Sequence, residues 1–168
     1  MQAILQRLAR LEAVNEIRNS INRYMEICDA LDANTNLSQL MDLFDEQAIW
    51  EGIGERYQAA FGRYEGRFAI EKMFAGYMQQ QSHFVMNAHF VSSEQIDLQE
   101  PMATGRWLML QTSTFRDGSS HLNAARLYIQ FKCQDDGHWK ISHFQTENIF
   151  SRPISHWESA ATLPVPKA

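Results

Sequence analysis

The chain has 168 residues, of which 45% are hydrophobic and 11% aromatic, so it is long enough for one domain with a substantial core. Its formal net charge is −5, whereas binding to nucleic acid or anionic membranes calls for clustered Lys and Arg, so we expect neither as a partner. No run of about 18 apolar residues occurs, and Gln6, Arg7 and Arg10 interrupt the N-terminal segment, so we expect a cytoplasmic protein without a membrane span or signal peptide.

The N-terminal third of the chain carries a helical pattern. Apolar side chains recur at three- and four-residue steps from Ile4 to Leu31, which predicts a long amphipathic helix with a break near residues 12–15. The polar run 34–36 ends this helix and caps a second short helix over 37–44.

The middle of the chain is rich in glycine. A short strand is predicted over 48–51. The four glycines between positions 52 and 66 predict a loop with one strand-like piece. Apolar residues from Phe68 to Met78 return to a helical period, which predicts a third helix over about 67–80.

Four long segments rich in β-branched and aromatic residues follow, separated by turn signals, and predict a strand meander. These are residues 84–98, 103–116, 121–134 and 138–150. Helices followed by strands indicate an α+β fold, here a cone-shaped, curved antiparallel mixed sheet closed by three N-terminal helices around an apolar cavity. We expect one domain over 1–150 and an irregular tail over 151–168, where three of the four prolines lie.

Metal, nucleotide and nucleophile signatures do not occur in the sequence. The histidines are scattered without a His-x-His or His-x₃-His pair, and Cys28 and Cys133 fit no metal spacing and are predicted to be reduced, buried thiols. The glycines do not follow a strand and open a helix in the order that cradles phosphates, and no Ser or Cys has the context of a nucleophile. We therefore expect neither a metal nor a cofactor.

Residue types that transfer protons lie at the end of the first helix and before the first long strand. Tyr24 and Asp29 are five residues apart, which is roughly 140° around an ideal helix, so they can border one pocket without pointing at the same atom. Asp29 could instead be solvated, Asp32 could terminate the helix, and His83 could be structural.

Alternation along the first long strand selects a second set of candidates. His83, Val85, Asn87, His89 and Val91 share one face if the strand has no bulge. Asn87 could then orient a ligand oxygen, whereas His89 lies further along, at the mouth of the pocket or outside it.

The third long strand is apolar on both faces, which predicts that the sheet is covered on both sides. Helices and the cavity would cover one face, and we expect a second copy of the chain to cover the other, giving a homodimer or homotrimer. Arg126 would bind a substrate carboxylate or thioester phosphate if it points inward, and would form an ion pair at the interface if it points outward.

Several local motifs, in this order and spacing, resemble the SnoaL-like branch of the nuclear transport factor 2-like superfamily over about residues 10–150. They are Arg23-Tyr24 with Asp29 and Asp32, the segment 40–48, Tyr64-Glu65-Gly66-Arg67, His83-Phe84 with Asn87, Gly105-Arg106-Trp107, and the segment 136–141. That branch contains polyketide cyclases, scytalone dehydratase, bile-acid dehydratase and relatives of steroid isomerase.

The resemblance implies that Asp29 and His83 form a hydrogen-bonded acid/base pair and that Tyr24 polarises a carbonyl oxygen. The chain departs from the branch at two places. Trp50 stands where scytalone dehydratase has a catalytic tyrosine, and residues 111–114 contain no His or Asp where the dehydratases of the branch carry one.

We predict a cofactor-independent lyase or isomerase that acts on a small hydrophobic, cyclic, oxygenated substrate, with Tyr24, Asp29 and His83 as catalytic residues. The predicted substrate-binding residues are Trp50, Phe74, Tyr77, Met78, Phe84, Asn87, Trp107 and Arg126. The alternative is a non-catalytic member of the fold, such as a dioxygenase small-subunit-like structural protein or a hydrophobic ligand-binding protein.

Overall fold

The computed structural model describes residues 1–78, 83–155 and 157. Four helices and two strands occupy the first half of the described chain, and four long strands follow. In chain order the elements are α1 (Gln2–Asp29), α2 (Leu37–Met41), β1 (Phe44–Ile53), α3 (Gly54–Phe61), β2 (Arg63–Glu65), α4 (Arg67–Ala75), β3 (Phe84–Gln99), β4 (Met102–Phe115), β5 (Ser120–Cys133) and β6 (Trp139–Ile154).

The six strands form one mixed sheet in the order β2-β1-β6-β5-β4-β3. The strands β3 to β6 make an antiparallel meander, and β1 lies parallel to β6. The helices lie in the N-terminal half of the chain, so the predicted α+β class, with N-terminal helices and a mixed sheet, is confirmed.

One face of the sheet, which we call the inner face, packs against the helices and forms the core. Along β4, residues Ala103, Gly105, Trp107 and Met109 are buried and alternate with exposed neighbours, as expected for a strand with one covered face. Gly105 is required there, because a Cβ atom at this position would lie 2.2 Å from the ring of Trp107.

The first helix is longer than predicted and does not break. Residues 12–15 contain neither Gly nor Pro, so the hydrogen-bond ladder of α1 continues from Gln2 to Asp29. The early apolar residues of the pattern, such as Leu8 and Leu11, are exposed, and the buried stripe begins only at Ala13.

The glycine-rich segment contains a helix where a loop was predicted. Gly54 and Gly62 both have a φ of 71°, and they stand at the first residue and the C-cap of α3. The glycines therefore mark the ends of a helix. Gly52 allows the close approach of α3 to β1, because a Cβ atom there would lie 2.3 Å from the backbone oxygen of Tyr57.

Several predicted boundaries differ from the structure. The second helix ends at Met41 instead of residue 44, and the first strand runs over Phe44–Ile53 instead of 48–51. The third predicted helix corresponds to α4, which ends at Ala75, and residues 79 and 80 lie outside the described residues. The last strand continues to Ile154 because its residues 151–154 pair with β5, so the first four residues of the predicted tail are strand. None of the described helices is long and apolar enough to cross a membrane.

Candidate active site

A cavity of about 400 Å³ lies between the helices and the inner face of the sheet. Aromatic rings form much of its wall. Tyr24 stacks on Phe144 with ring centroids 4.7 Å apart, and Phe144 stacks on Trp50 at 5.9 Å. Phe74 packs edge-on against both Tyr24 and Trp50. This wall suits a flat, apolar ligand.

The imidazole of His89, which lines this cavity, is paired with a carboxylate. The Oδ1 atom of Asp29, the last residue of α1, lies 2.6 Å from Nδ1 of His89 on β3. The backbone N–H of His89 also donates a hydrogen bond of 3.1 Å to Oδ2 of Asp29. The His89 side chain is largely buried and lines the cavity. With Nδ1 engaged by Asp29, the other ring nitrogen of His89, Nε2, is left for a ligand.

A chain of amides supports this pair from the sheet. Gln111 donates to Oδ1 of Asn87 at 2.9 Å, and the Ser113 hydroxyl donates to the same atom at 2.8 Å. Because both bonds use the oxygen of Asn87, its NH₂ group is turned toward Asp29, whose Oδ1 atom is 3.4 Å away. Asn87 lines the cavity, and it also contacts Asp29.

The Tyr24 hydroxyl occupies a different part of the site. It accepts a hydrogen bond of 3.0 Å from Nε1 of Trp50 and lies beside the Cys28 thiol. Burial is the main reason that the pKa of Tyr24 lies well above its ordinary value. Burial likewise raises the pKa of Cys28 to about 12, so both groups are neutral at physiological pH. Neither Cys28 nor Cys133 forms a disulfide, and both are partly buried.

The predicted pairing of Asp29 with His83 does not form. His83 is exposed at the edge of the cavity, where its ring packs against Tyr77 and Phe84 at centroid distances of 5.9 and 4.6 Å. The neighbouring Tyr77 lines the cavity, and its hydroxyl has no hydrogen-bond partner in the described parts of the chain. Burial raises the pKa of Tyr77.

A β-bulge explains why the histidines were assigned incorrectly. The pairing register of β3 with β4 shifts between Phe84 and Met86, so the alternation that starts at His83 does not continue through the strand. Val85 is exposed, whereas Asn87 and His89 line the cavity. The sequence did place Asn87 and His89 on one face, but it placed His83 there as well, so parity could not distinguish the two histidines.

Three predicted binding residues lie away from the cavity. Met78 packs against the core. Trp107 is buried on the inner face, where its Nε1 donates 3.3 Å to Glu94. Arg126 points to the outer face of the sheet and lies 3.8 Å from Glu147, because its position on β5 has the parity opposite to the buried Leu127. Trp50, Phe74, Tyr77, Phe84 and Asn87 do line the cavity.

The structure also brings polar residues to the cavity that the sequence did not single out. Arg56 and Tyr57 come from α3, and His121 and Asn123 come from β5. The prediction of a loop over 52–66 concealed the first two, because a loop gives no periodicity from which an inward face can be assigned. Asp32, by contrast, has the expected structural role, since its carboxylate accepts hydrogen bonds from the backbone of Asn34 and the Thr35 hydroxyl.

Potential metal ligands are dispersed. Within residues 1–78, 83–155 and 157, no group of three or more His, Cys, Asp and Glu side chains is arranged to hold a metal ion.

Solved structures with the same fold include three that the chain matches over most of its length. A hexachlorocyclohexane dehydrochlorinase, LinA type 2, has a TM-score of 0.75 and 16% identity, with 92% of this chain and 99% of that chain covered. A protein provisionally named scytalone dehydratase, from Novosphingobium aromaticivorans, has a TM-score of 0.69 and 18% identity, with 91% and 98% covered.

An NTF2-like protein with a cystatin-like fold, also from Novosphingobium aromaticivorans, has a TM-score of 0.69 and 20% identity, with 95% of this chain and 92% of that chain covered. At these identities the likeness establishes the fold alone. No curated protein matches the chain by sequence. The model of the SnoaL-like domain family matches residues 9–145, and the chain therefore belongs to the SnoaL-like domain family.

Proposed function

We propose that the protein is a cofactor-independent lyase or isomerase in which His89, held by Asp29, removes a proton from a small hydrophobic, cyclic, oxygenated substrate. The observation that carries the proposal is the 2.6 Å contact between Asp29 and His89 at the wall of an aromatic cavity. The presence of a dehydrochlorinase and a provisionally named dehydratase on the same fold is compatible with this chemistry.

The proton transfer follows from the tautomer that Asp29 selects. An Asp29 carboxylate accepts the N–H at Nδ1, which places the lone pair of His89 on Nε2. In the first step a C–H bond next to a carbonyl breaks, the proton moves to Nε2, and the electron pair delocalises onto the carbonyl oxygen. The positive charge that forms on the imidazole is stabilised by Asp29.

The second step returns the proton. In an isomerase, the His89 imidazolium delivers it to another carbon of the substrate. In a lyase, the imidazolium delivers the proton to a hydroxyl group on the neighbouring carbon. The C–O bond to this hydroxyl breaks, and water leaves. General acid/base catalysis of this kind contributes about 10²–10⁴ in rate.

Stabilisation of the oxyanion requires a hydrogen-bond donor on the cavity wall. We assign this role to Tyr77 in place of the predicted Tyr24. The Tyr24 hydroxyl already accepts from Trp50 and is enclosed by aromatic rings, whereas the Tyr77 hydroxyl has no partner among the described residues. A neutral phenol in a poorly hydrated site is a strong donor to a developing negative charge.

The test is deuterium incorporation from D₂O into a panel of bicyclic ketones such as α-tetralone, followed by NMR. We expect the wild-type protein to accelerate exchange next to the carbonyl, and His89→Gln to lower the rate by about 10²–10⁴. Asp29→Asn should lower it as well, because an amide no longer fixes the productive tautomer.

The matched control is His83→Gln, a histidine at the edge of the same cavity that makes no contact with Asp29. It should retain the exchange rate within about threefold, since only His89 is held as the base. Full exchange in His89→Gln would contradict the proposal, and absence of exchange by the wild-type protein across the panel would favour a non-catalytic ligand carrier.

A further inference from the structure

Arg56 is an exposed residue that lines the cavity and has no counter-charge among the described residues. It lies on α3 and lines the cavity, and no ion pair or hydrogen bond engages its guanidinium within the described part of the chain. Arginines on neighbouring elements are paired, such as Arg63 with Glu51 and Arg67 with Glu46. An unpaired arginine at a cavity is therefore a local exception in a protein whose net charge is −5.

The other residues that line the cavity add hydrogen-bond donors and no acids. The described residues that line the cavity include Arg56, His83, His89 and His121, but no Asp, Glu or Lys. His121 on β5 is partly buried, and its Nε2 lies 3.2 Å from the Ser151 hydroxyl. This set of groups can bind an anion, whereas a ligand cation would find no carboxylate on the wall.

The backbone that carries Arg56 is held in place by the neighbouring residue, Tyr57. The Tyr57 hydroxyl accepts a hydrogen bond of 2.6 Å from Asn123 on β5, which ties α3 to the inner face of the sheet. Tyr57 is buried and packs edge-on against Phe61 at 4.8 Å. The helix is thus held against both β1 and β5. Because the backbone at Arg56 is already ordered, less conformational entropy is lost when its guanidinium binds a ligand.

The anionic group would bind at a distance from the reacting end. His89 pairs with Gln111 on β4, which pairs with Asn123 on β5, and His121 lies two residues from Asn123. Two strand spacings and two residues along a strand place the backbone positions of His89 and His121 about 12 Å apart. A substrate that reaches both must be elongated.

We propose that Arg56, assisted by His121, forms an anion-binding subsite, and that the substrate is an apolar ring system carrying a carboxylate or other acidic group on the order of 10 Å from the carbon that loses its proton. The part of this inference that concerns the reacting carbon rests on the proposed function. The anion-binding part rests on Arg56 and its surroundings alone.

The test uses two fluorescent probes that share a ring system and differ in charge. 8-Anilinonaphthalene-1-sulfonate carries a sulfonate, and N-phenyl-1-naphthylamine is its neutral counterpart. The dissociation constant of the neutral probe is measured by titration, and that of the anionic probe by displacement of the neutral one, so that both report on one site.

We expect Arg56→Gln to weaken binding of the anionic probe about tenfold, as for the loss of one charge-assisted hydrogen bond, and to change binding of the neutral probe less than about twofold. Arg56→Lys should restore most of the loss because it keeps the charge. The control Arg126→Gln removes an arginine from the outer face and should leave both constants unchanged.

Unchanged binding of the anionic probe in Arg56→Gln, or an equal loss for both probes, would overturn the anion subsite. The measurement involves no catalysis. If Arg56→Gln selectively weakens the anionic probe but His89→Gln keeps full deuterium exchange, only the proposed function is overturned. If His89→Gln loses exchange but Arg56→Gln binds the anionic probe as the wild type does, only the subsite is overturned.

Discussion

At the scale of single residues, the two tyrosines that line the cavity, Tyr24 and Tyr77, differ in whether their hydroxyl group already has a hydrogen-bond partner in the protein. Tyr24 is only 5% exposed, and its oxygen is the acceptor for the indole N–H of Trp50. Tyr77 is half-buried and has no hydrogen-bond partner in the described residues. Residue type alone cannot distinguish them, because both belong to amphipathic helical patterns.

We expect Tyr24→Phe to lower the free energy of unfolding by about 1–3 kcal/mol, because the buried Trp50 N–H loses its acceptor. Tyr77→Phe should change stability by less than about 0.5 kcal/mol but lower the deuterium exchange rate at least about tenfold. Urea unfolding and the exchange assay measure the two effects. If Tyr77→Phe retained the full exchange rate, the assignment of Tyr77 as the oxyanion donor would be wrong.

The residues of the dyad were predictable in part. Asp29 was selected from its place at the end of α1 and from the family resemblance, and it does contact a histidine of the first long strand. The histidine is His89, because the bulge between Phe84 and Met86 changes which residues face the cavity. A bulge depends on pairing with the neighbouring strand, so the alternation of side chains along a single strand does not reveal it.

At the scale of elements, a polar cluster on the outer face joins three strands at one edge of the sheet. Glu51 on β1 accepts from Arg63 on β2 at 2.8 Å and from Gln145 on β6 at 2.9 Å, and it lies 2.7 Å from Nε2 of His143. Its side chain is only 14% exposed. Burial opposes ionisation, but the hydrogen bonds from Arg63, Gln145 and His143 outweigh it and lower the pKa of Glu51.

We expect Glu51→Gln to lower the free energy of unfolding by about 1–2 kcal/mol at pH 7, less than for a fully buried ion pair because Arg63 is half-exposed. A carboxyl group whose pKa is lower in the folded state stabilises the fold above its unfolded pKa of about 4.3 and ceases to do so as the pH falls through the folded value. The difference between variant and wild type should therefore shrink in acid.

The matched control is Glu65→Gln, which removes the other, largely exposed partner of Arg63. It should change stability by less than about 0.5 kcal/mol, as is usual for surface ion pairs. Urea unfolding from pH 3 to pH 8 measures both variants, and equal losses for Glu51→Gln at both ends of this range would contradict the assigned role.

The long elements were predicted well, and the short ones were not. The strands β3 to β5 begin and end within one residue of the predicted bounds because turn residues punctuate a continuous β-rich pattern. The helix α3 was missed because its eight residues lie between glycines, which are equally typical of loops and of helix ends. Its packing against Asn123 and β1 decides its conformation, and those contacts are tertiary.

At the scale of the whole molecule, the outer face of the sheet carries an apolar patch formed by Phe90, Leu108 and Leu110, which are 58%, 42% and 39% exposed. Phe90 and Leu110 are direct cross-strand neighbours. Arg126 and Glu147 lie beside the patch with opposite charges, so a second copy related by a two-fold axis could meet it with complementary charges.

We propose that this face joins two or three copies of the chain. Light scattering coupled to size exclusion should find the wild-type protein as a dimer or trimer and Leu110→Lys as a monomer, because a lysine would be desolvated in the interface. The control Phe68→Lys places the same charge on the exposed side of α4 and should leave the oligomer intact. A monomeric wild-type protein would contradict the proposal.

The sequence by itself determined the architecture, because helical patterns dominate the first half of the chain and four long β-rich segments follow, and this order indicates helices packed on one face of a sheet. Together with the family resemblance it also selected Asp29, and it predicted part of the aromatic wall, Trp50 and Phe74. Only the tertiary structure decided which histidine meets Asp29, that Arg126 points outward and that Arg56 lines the cavity. Those outcomes depend on strand register, a bulge and the docking of a short helix, and each of these is set by contacts between residues far apart in the chain.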